Sequence, residues 1–314
     1  MGNMSNKASL FPAIIMTILL SLSLSGTVVC NIDPCREVPA TDNDILEFLL
    51  NLYHLEAELF LRAATGNGTD DYDPSLAAGG PPPIGSRRAT LGPLVRRVVE
   101  EFGYQKLGQL REIIREIVGR VPPRPLLNLS TEVVADFADA AIGRRLIPRF
   151  DPYANDNNFI LTAQSITYTS TVSLVGATTT LISRGVRLLV AKLLAMEAGQ
   201  NTFFRSYLYQ RANQIVIPYN ITIAEFTNRT SELTNRLAKC GLKDEGILVP
   251  RSLGAENRTD SNLLAADFNS LAYTRITKEV LRIFYGTGNE SRPGSYFPNG
   301  ANGDIARRYI QRNG

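Results

Sequence analysis

The chain has 314 residues, 44% of them hydrophobic and 20% charged, with a formal net charge of +3. That is an ordinary globular composition, long enough for one large domain or two small ones with a full core. Lysine and arginine are interspersed with aspartate and glutamate, which excludes the electrostatic footprint of a nucleic-acid binder, and one histidine with three cysteines supplies neither a Ser-His-Asp or Cys-His set nor a zinc cluster.

Near the N-terminus Lys7 precedes LFPAIIMTILLSLSLSG, an apolar run that ends in small residues such as Ser23, Ser25 and Gly26. This is the pattern of a secretory signal over residues 1–30, cleaved between 25 and 30. The competing explanation, a membrane anchor, asks for a longer run of about 20 residues and a basic flank. No later stretch is apolar enough to span a bilayer, so the mature chain is expected to be secreted and soluble. If Cys30 leaves with the signal, Cys35 on a short arm (residues 31–40) and Cys240 remain, either to pair in an oxidising compartment or as two free thiols. Six sequons, at Asn67, Asn128, Asn220, Asn228, Asn257 and Asn289, fit a secreted glycoprotein.

From Thr41 the chain opens a helix. Thr41 and Asp44 offer a cap and an acidic first turn, and Ile45, Leu49, Leu52, Glu56, Leu59 and Ala63 form one stripe. The stripe is interrupted by a carboxylate, Glu56, which therefore faces a core. His54 and Glu58 lie roughly 160–200° around from Glu56 and are expected to face elsewhere, with His54 at the surface or its boundary rather than a ligand. Residues 65–90, dense in Gly, Pro and Asp, read as a long loop inside one domain, either functional or a packed flap. A second helix, about 91–118, turns Val95, Val99, Phe102, Lys106, Gln109, Ile113 and Ile117 inward. Lys106 either snorkels outward from the core edge or places its ammonium among inward acids. A Pro-rich stop, a short helix over 131–142 and a further turn segment make a connection of about 35 residues, enough to cross the length of a bundle.

Residues 155–184 mix strand-forming Thr, Val and Ile with helical length and no Gly or Pro before Gly176. A helix is expected, because a lone hairpin would find no sheet partner elsewhere. Three residues, Ser183 to Gly185, separate it from the next helix, so the two should run antiparallel. That next helix carries the stripe Val186, Val190, Leu193, Glu197, Gln200, Phe204, Leu208. A carboxylate and an amide on the core side are costly unless they meet a metal, a cation or hydrogen-bond partners. After Ala212 the segment IVIPYNIT turns, and Thr222 with Glu225 forms a capping box for a helix to about Lys239. Helices are expected again over 263–273 and 277–285. The Gly- and Asn-rich tail holds Tyr296, Phe297 and Tyr309 and is expected to pack on the body. The GxG at Gly286 to Gly288 lacks a phosphate-cradle spacing and reads as a turn.

The chain is thus expected to be all-α, with a four-helix bundle over 41–214, one crossover connection, and a helical extension with an ordered loop-rich tail over 215–314. Four long helices with inward carboxylates on the first and fourth give the outline of a ferritin-like bundle, a fold that holds two metals with single Glu residues and Glu-x-x-His pairs. The segments LNLYHLEAELFL, GGPPPIGSRRATL, EFGYQKLGQLREI, FDPYAN, LLAMEAGQ and LRIFYGTGNES resemble the plant desiccation-related proteins with a ferritin-like domain, over about residues 40–310. The resemblance implies a secreted protein of the apoplast or cell wall, associated with dehydration or stress. In that family the second helix carries Glu-x-x-His where this chain has Lys106 and Gln109, and the first has an additional acid at the place of Tyr53. Glu56 and Glu197 match.

Lysine brings a positive charge to where cations would sit, so the set is a poor di-iron centre. The expectation is a buried polar network of Glu56, Lys106, Gln109, Glu197 and Gln200, no cofactor, and a non-enzymatic structural or protective role, with cell-wall or other extracellular components as candidate partners. Two alternatives stand beside it. One is an oxidoreductase that binds iron or another divalent metal through Glu56, Glu197 and Gln200. The other is an extracellular binding module that uses the Pro-Gly loop or the C-terminal tail.

Overall fold

Each long helix begins and ends where side-chain chemistry permits. In the computed structural model, which describes residues 35–311, helix α1 (Asp42–Thr65) opens with a full capping box. Thr41 Oγ1 accepts the Asp44 N–H at 3.2 Å, and the Asp44 carboxylate accepts the Thr41 N–H at 2.8 Å. It stops at Gly66, whose φ of 92° is left-handed. After a one-turn helix, α2 (Thr69–Tyr72), α3 (Pro93–Glu116) starts on a proline, whose missing N–H has no intrahelical use there. A short α4 (Thr131–Ile142) lies in the crossover, followed by α5 (Asp156–Ala177) and α6 (Arg184–Tyr209).

The segment 155–184 is helical despite its threonines, and the hydroxyls explain how. Thr162, Thr167, Thr169 and Thr171 each donate to the carbonyl four residues back, at 2.7–3.0 Å, so none competes with the helix from within the core. α1 packs along α3 and α5 along α6, with α1 against α5 and α3 against α6 closing the four-helix bundle. α1 is buried nearly all round, because the crossover segment and the tail also cover it. That overturns the expected surface or boundary position of His54, which is 1% exposed; Glu58, on another face than Glu56, is 0% exposed. A stripe analysis sees only which face is most apolar, and a central helix has no wet face.

The Pro-Gly loop is pinned to the body by Arg124. The guanidinium donates to Glu58 and Thr69 Oγ1 below the loop, and to Asp70 Oδ2 and the Pro81 and Gly80 carbonyls within it. The extension adds α7 (Ile223–Ala238), which packs on α4, and α8 (Thr277–Phe284), which packs on α7 and α5; α9 (Asp304–Gln311) packs on α1. α9 lies in the tail that the sequence suggested would pack without regular structure. The helix expected over 263–273 does not form. The buried Arg205 draws the carbonyls of Glu245, Gly246, Asn262 and Leu263 to itself at 2.5–3.0 Å, and Asp267 closes a turn with Leu271. With the Asn262 and Leu263 carbonyls turned to this guanidinium and Asp267 tied to Leu271, the segment follows an irregular path in place of a helix.

Among the described residues no β-strand forms, only isolated bridges, and no helix is long and apolar enough to cross a membrane. Residues 37–311 belong to one compact unit, while Cys35 and Arg36 belong to the preceding one. Cys35 and Cys240 are both disulfide-bonded. The candidate signal segment 1–30 and the first part of the arm lie outside the described residues.

Candidate functional site

Halfway along the bundle three helices each turn a polar side chain into the core. α1 supplies Glu56 and Tyr53, α3 supplies Lys106 and Gln109, and α6 supplies Glu197 and Gln200. Glu56, Lys106 and Glu197 are each 0% exposed. The Lys106 ammonium forms ion pairs with Oε2 of both Glu56 and Glu197 and lies 4.6 Å from the centre of the Tyr53 ring. One turn along, Phe60, Phe102 and Phe204 meet with ring centroids 5.6–6.4 Å apart, closing one side with an aromatic plug.

The amides do not complete this network. Gln200 Nε2 donates to Gln105 Oε1 at 2.8 Å, a residue that lies off the inward stripe, and the Oε1 atoms of Gln200 and Gln109 are buried without a hydrogen bond. Glu56 Oε1 and Glu197 Oε1 are also without a well-formed hydrogen bond, and the Tyr53 hydroxyl is a neutral donor set beside Glu197. The cluster is therefore rich in acceptors and short of donors. Its charge balance follows from that. Burial, and then the neighbouring Glu56 carboxylate, push the Glu197 carboxyl well above its ordinary range, with Lys106 opposing. Burial acts to lower the Lys106 ammonium, but Glu197 and Glu56 outweigh it and hold it above its usual value. With a single ammonium set between two buried acids, burial works against the charged form of Glu197, and Lys106 is the cation that opposes it.

Bundles of this architecture can hold metals through side chains that project into the core from facing helices. A cation would have to displace the ammonium from between its two acids. The remaining donors would be two carboxylates and two amides with no imidazole, because His54 is on another face of α1, beside Arg124. Among the described residues no group of three or more His, Cys, Asp or Glu side chains could hold a metal ion. The residues present do not fit a di-metal centre.

A second polar site escaped the sequence analysis. Both ring nitrogens of His54 are buried without a hydrogen bond, and burial, aided by Arg124, pushes its pKa down to about 3. Beside it, Glu58 pairs with Arg124 and, at 2.8 Å, with Arg62. Arg124 stands in a Pro-rich run, where no periodicity marks it as inward.

Comparison with known proteins adds the following. A model of the family described as "Ferritin-like domain" matches residues 41–210. The chain is similar to "Ferritin-like catalase Nec2" of Nesocodon mauritianus, 48% identical over 273 residues, which is 87% of each chain. It is also similar to "Desiccation-related protein PCC13-62" of Craterostigma plantagineum, 41% identical over 300 residues, covering 96% of this chain and 95% of the relative. No solved structure matches it significantly.

Proposed function

The chain belongs to the plant desiccation-related family with a ferritin-like domain, and from that premise we propose that it is a secreted protective protein whose bundle centre holds a lysine ammonium in place of metal ions. The observation that supports this most is Lys106 paired with both Glu56 and Glu197 at zero exposure. An ammonium on a covalent stem neutralises the inward acids without any supply of metal, so the fold keeps its shape where metal availability varies. Such a centre has no redox group, and the proposed role is structural and extracellular rather than catalytic. Secretion is supported by the signal-like residues 1–30 and by the disulfide-bonded Cys35 and Cys240.

A second reading rests on the 48% identity to a relative named a catalase. It would make this chain a peroxide-consuming enzyme, which needs a redox-active group that the Glu56, Lys106 and Glu197 set does not accommodate. The two separate in one experiment: load the protein anaerobically with ferrous or manganous ion, desalt, and measure both bound metal and oxygen release from hydrogen peroxide. The proposal expects near-zero metal and no oxygen above the buffer rate. One or two metals per chain, lost in Glu197→Ala together with oxygen release, would overturn it.

A further inference from the structure

Of the six sequons, Asn67, Asn220, Asn257 and Asn289 are exposed on loops, and Asn128 turns its carboxamide oxygen to the Ser130 N–H between the buried Leu127 and Leu129. Asn228 differs from all of these. It sits inside α7, in the sequon Asn228-Arg229-Thr230, on one wall of a groove of about 590 Å³. The same helix carries Glu232 and Arg236 to the groove, and the facing segment brings Leu242, Leu248, Val249 and Leu253 together with Asp244. Leu242 is 86% exposed and Leu253 50% exposed, so the two outer leucines of that wall stand bare, while Leu248 is half-buried and Val249 buried. Asn228 Oδ1 is buried without a hydrogen bond, against Gly246, where any Cβ would overlap it. Its Nδ2 makes no hydrogen bond and is not buried, so the nitrogen is the atom turned to the groove.

We propose that this groove is the seat of an N-linked glycan on Asn228, an inference that rests on the secretory reading above. In the step, Asn228 Nδ2 attacks the anomeric carbon of an oligosaccharide carried on a lipid diphosphate. The N–C bond forms, the C–O bond to the diphosphate breaks, Nδ2 loses one proton, and the lipid diphosphate leaves. Transfer precedes folding, because the sequon must be extended and afterwards closes into α7. A sugar added at Nδ2 sacrifices no hydrogen bond in the folded protein. An N-acetylglucosamine pair is amphipathic: its ring faces and acetyl methyls cover the exposed leucines, and its hydroxyls reach Glu232 and Arg236. The groove falls within the roughly 300–1,000 Å³ that small ligands occupy. The glycan thereby shields apolar surface that the polypeptide leaves uncovered.

The test uses the full chain secreted from a eukaryotic host, with site occupancy read by peptide mass and glycan release followed with an enzyme that cleaves the Asn–sugar bond. The expected result is an occupied Asn228 released at least about tenfold more slowly than Asn67 or Asn289 from the native protein, and equally fast after denaturation. Asn228→Gln and, separately, Thr230→Ala should bind an apolar dye more strongly than the glycosylated parent. Occupied Asn67 and Asn289 with an empty Asn228, or equal native release rates, would overturn the glycan seat while leaving secretion intact. A secreted chain with no occupied sequon would also overturn the glycan seat, whereas a chain retained inside the cell would overturn the secretory reading.

Discussion

Replacing Lys106 by methionine would leave Glu56 and Glu197 facing each other with no cation between them at zero solvent exposure. Removing one partner of a buried charged set costs about 3–5 kcal/mol, whereas replacing the whole set with apolar residues of similar volume is often neutral or stabilising. Lys106→Met is therefore expected to lower the denaturant midpoint by that margin, and Lys106→Met with Glu56→Leu and Glu197→Leu to restore it or raise it above the parent, both read from chemical unfolding curves. His54 yields a prediction in pH. Its folded value near 3 lies below the ordinary 6.5, so between those values the unfolded chain binds more protons than the native one. Its contribution is full above about pH 6.5 and is lost as pH falls toward 3, on the order of 4–5 kcal/mol over the whole window. Glu197 acts oppositely: with a raised folded value, its contribution is present below its usual 4.5 and lost as pH rises through the folded value. Stability measured from pH 7 to pH 4 in His54→Leu should fall less steeply than in the parent, and an unchanged slope would show that the imidazole does not titrate on unfolding.

At the scale of helices, two glycines near the helix surfaces should respond to the same substitution with opposite signs. A Cβ on Gly199 in α6 meets nothing within 4 Å, whereas one on Gly176, in the last turn of α5, would overlap the Arg275 carbonyl. Gly199→Ala should stabilise by up to about 1 kcal/mol through helix propensity, and Gly176→Ala should destabilise by about 1–3 kcal/mol because backbone must move; thermal midpoints decide both. The same contrast between covered and open faces governs what the sequence disclosed. α6 buries one stripe, so its nine inward residues, from Val186 to Leu208, follow the period of the helix and the polar breaks at Glu197 and Gln200 stand out. α1 and α5 are enclosed, the period fades, and His54, expected at the surface or its boundary, is buried. Gln105 was missed for a related reason: it lies beside the stripe and enters only because Gln200 turns toward it. The irregular path of 263–273 depends on Arg205, some 58 positions earlier than Leu263, and no local pattern carries that information.

For the whole molecule, the tail is as much a part of the bundle as the crossover. Asn51 on α1 and Asn302 exchange two hydrogen bonds at 2.8–2.9 Å, the Asp304 N–H donates to Glu47, and Ile305, Ala306 and Tyr309 join the core. Ending the chain after Ser295 should uncover one side of α1 and give a product that binds apolar dyes and unfolds without a cooperative transition, measured by fluorescence and circular dichroism. A truncated chain that keeps a sharp transition would show that the four long helices suffice.

The enclosure of α1 also sets an order in time. Asn51 and its partner Asn302 are 251 positions apart, and at about 5–20 residues per second a ribosome needs roughly 10–50 s to make the intervening chain. Throughout that interval α1, the first of the described helices and one buried nearly all round, has its neighbours arriving one after another and its last covering still unsynthesised. A nascent chain must therefore wait for its end before its beginning is finished, while a full-length chain diluted from denaturant has every covering segment present from the first instant.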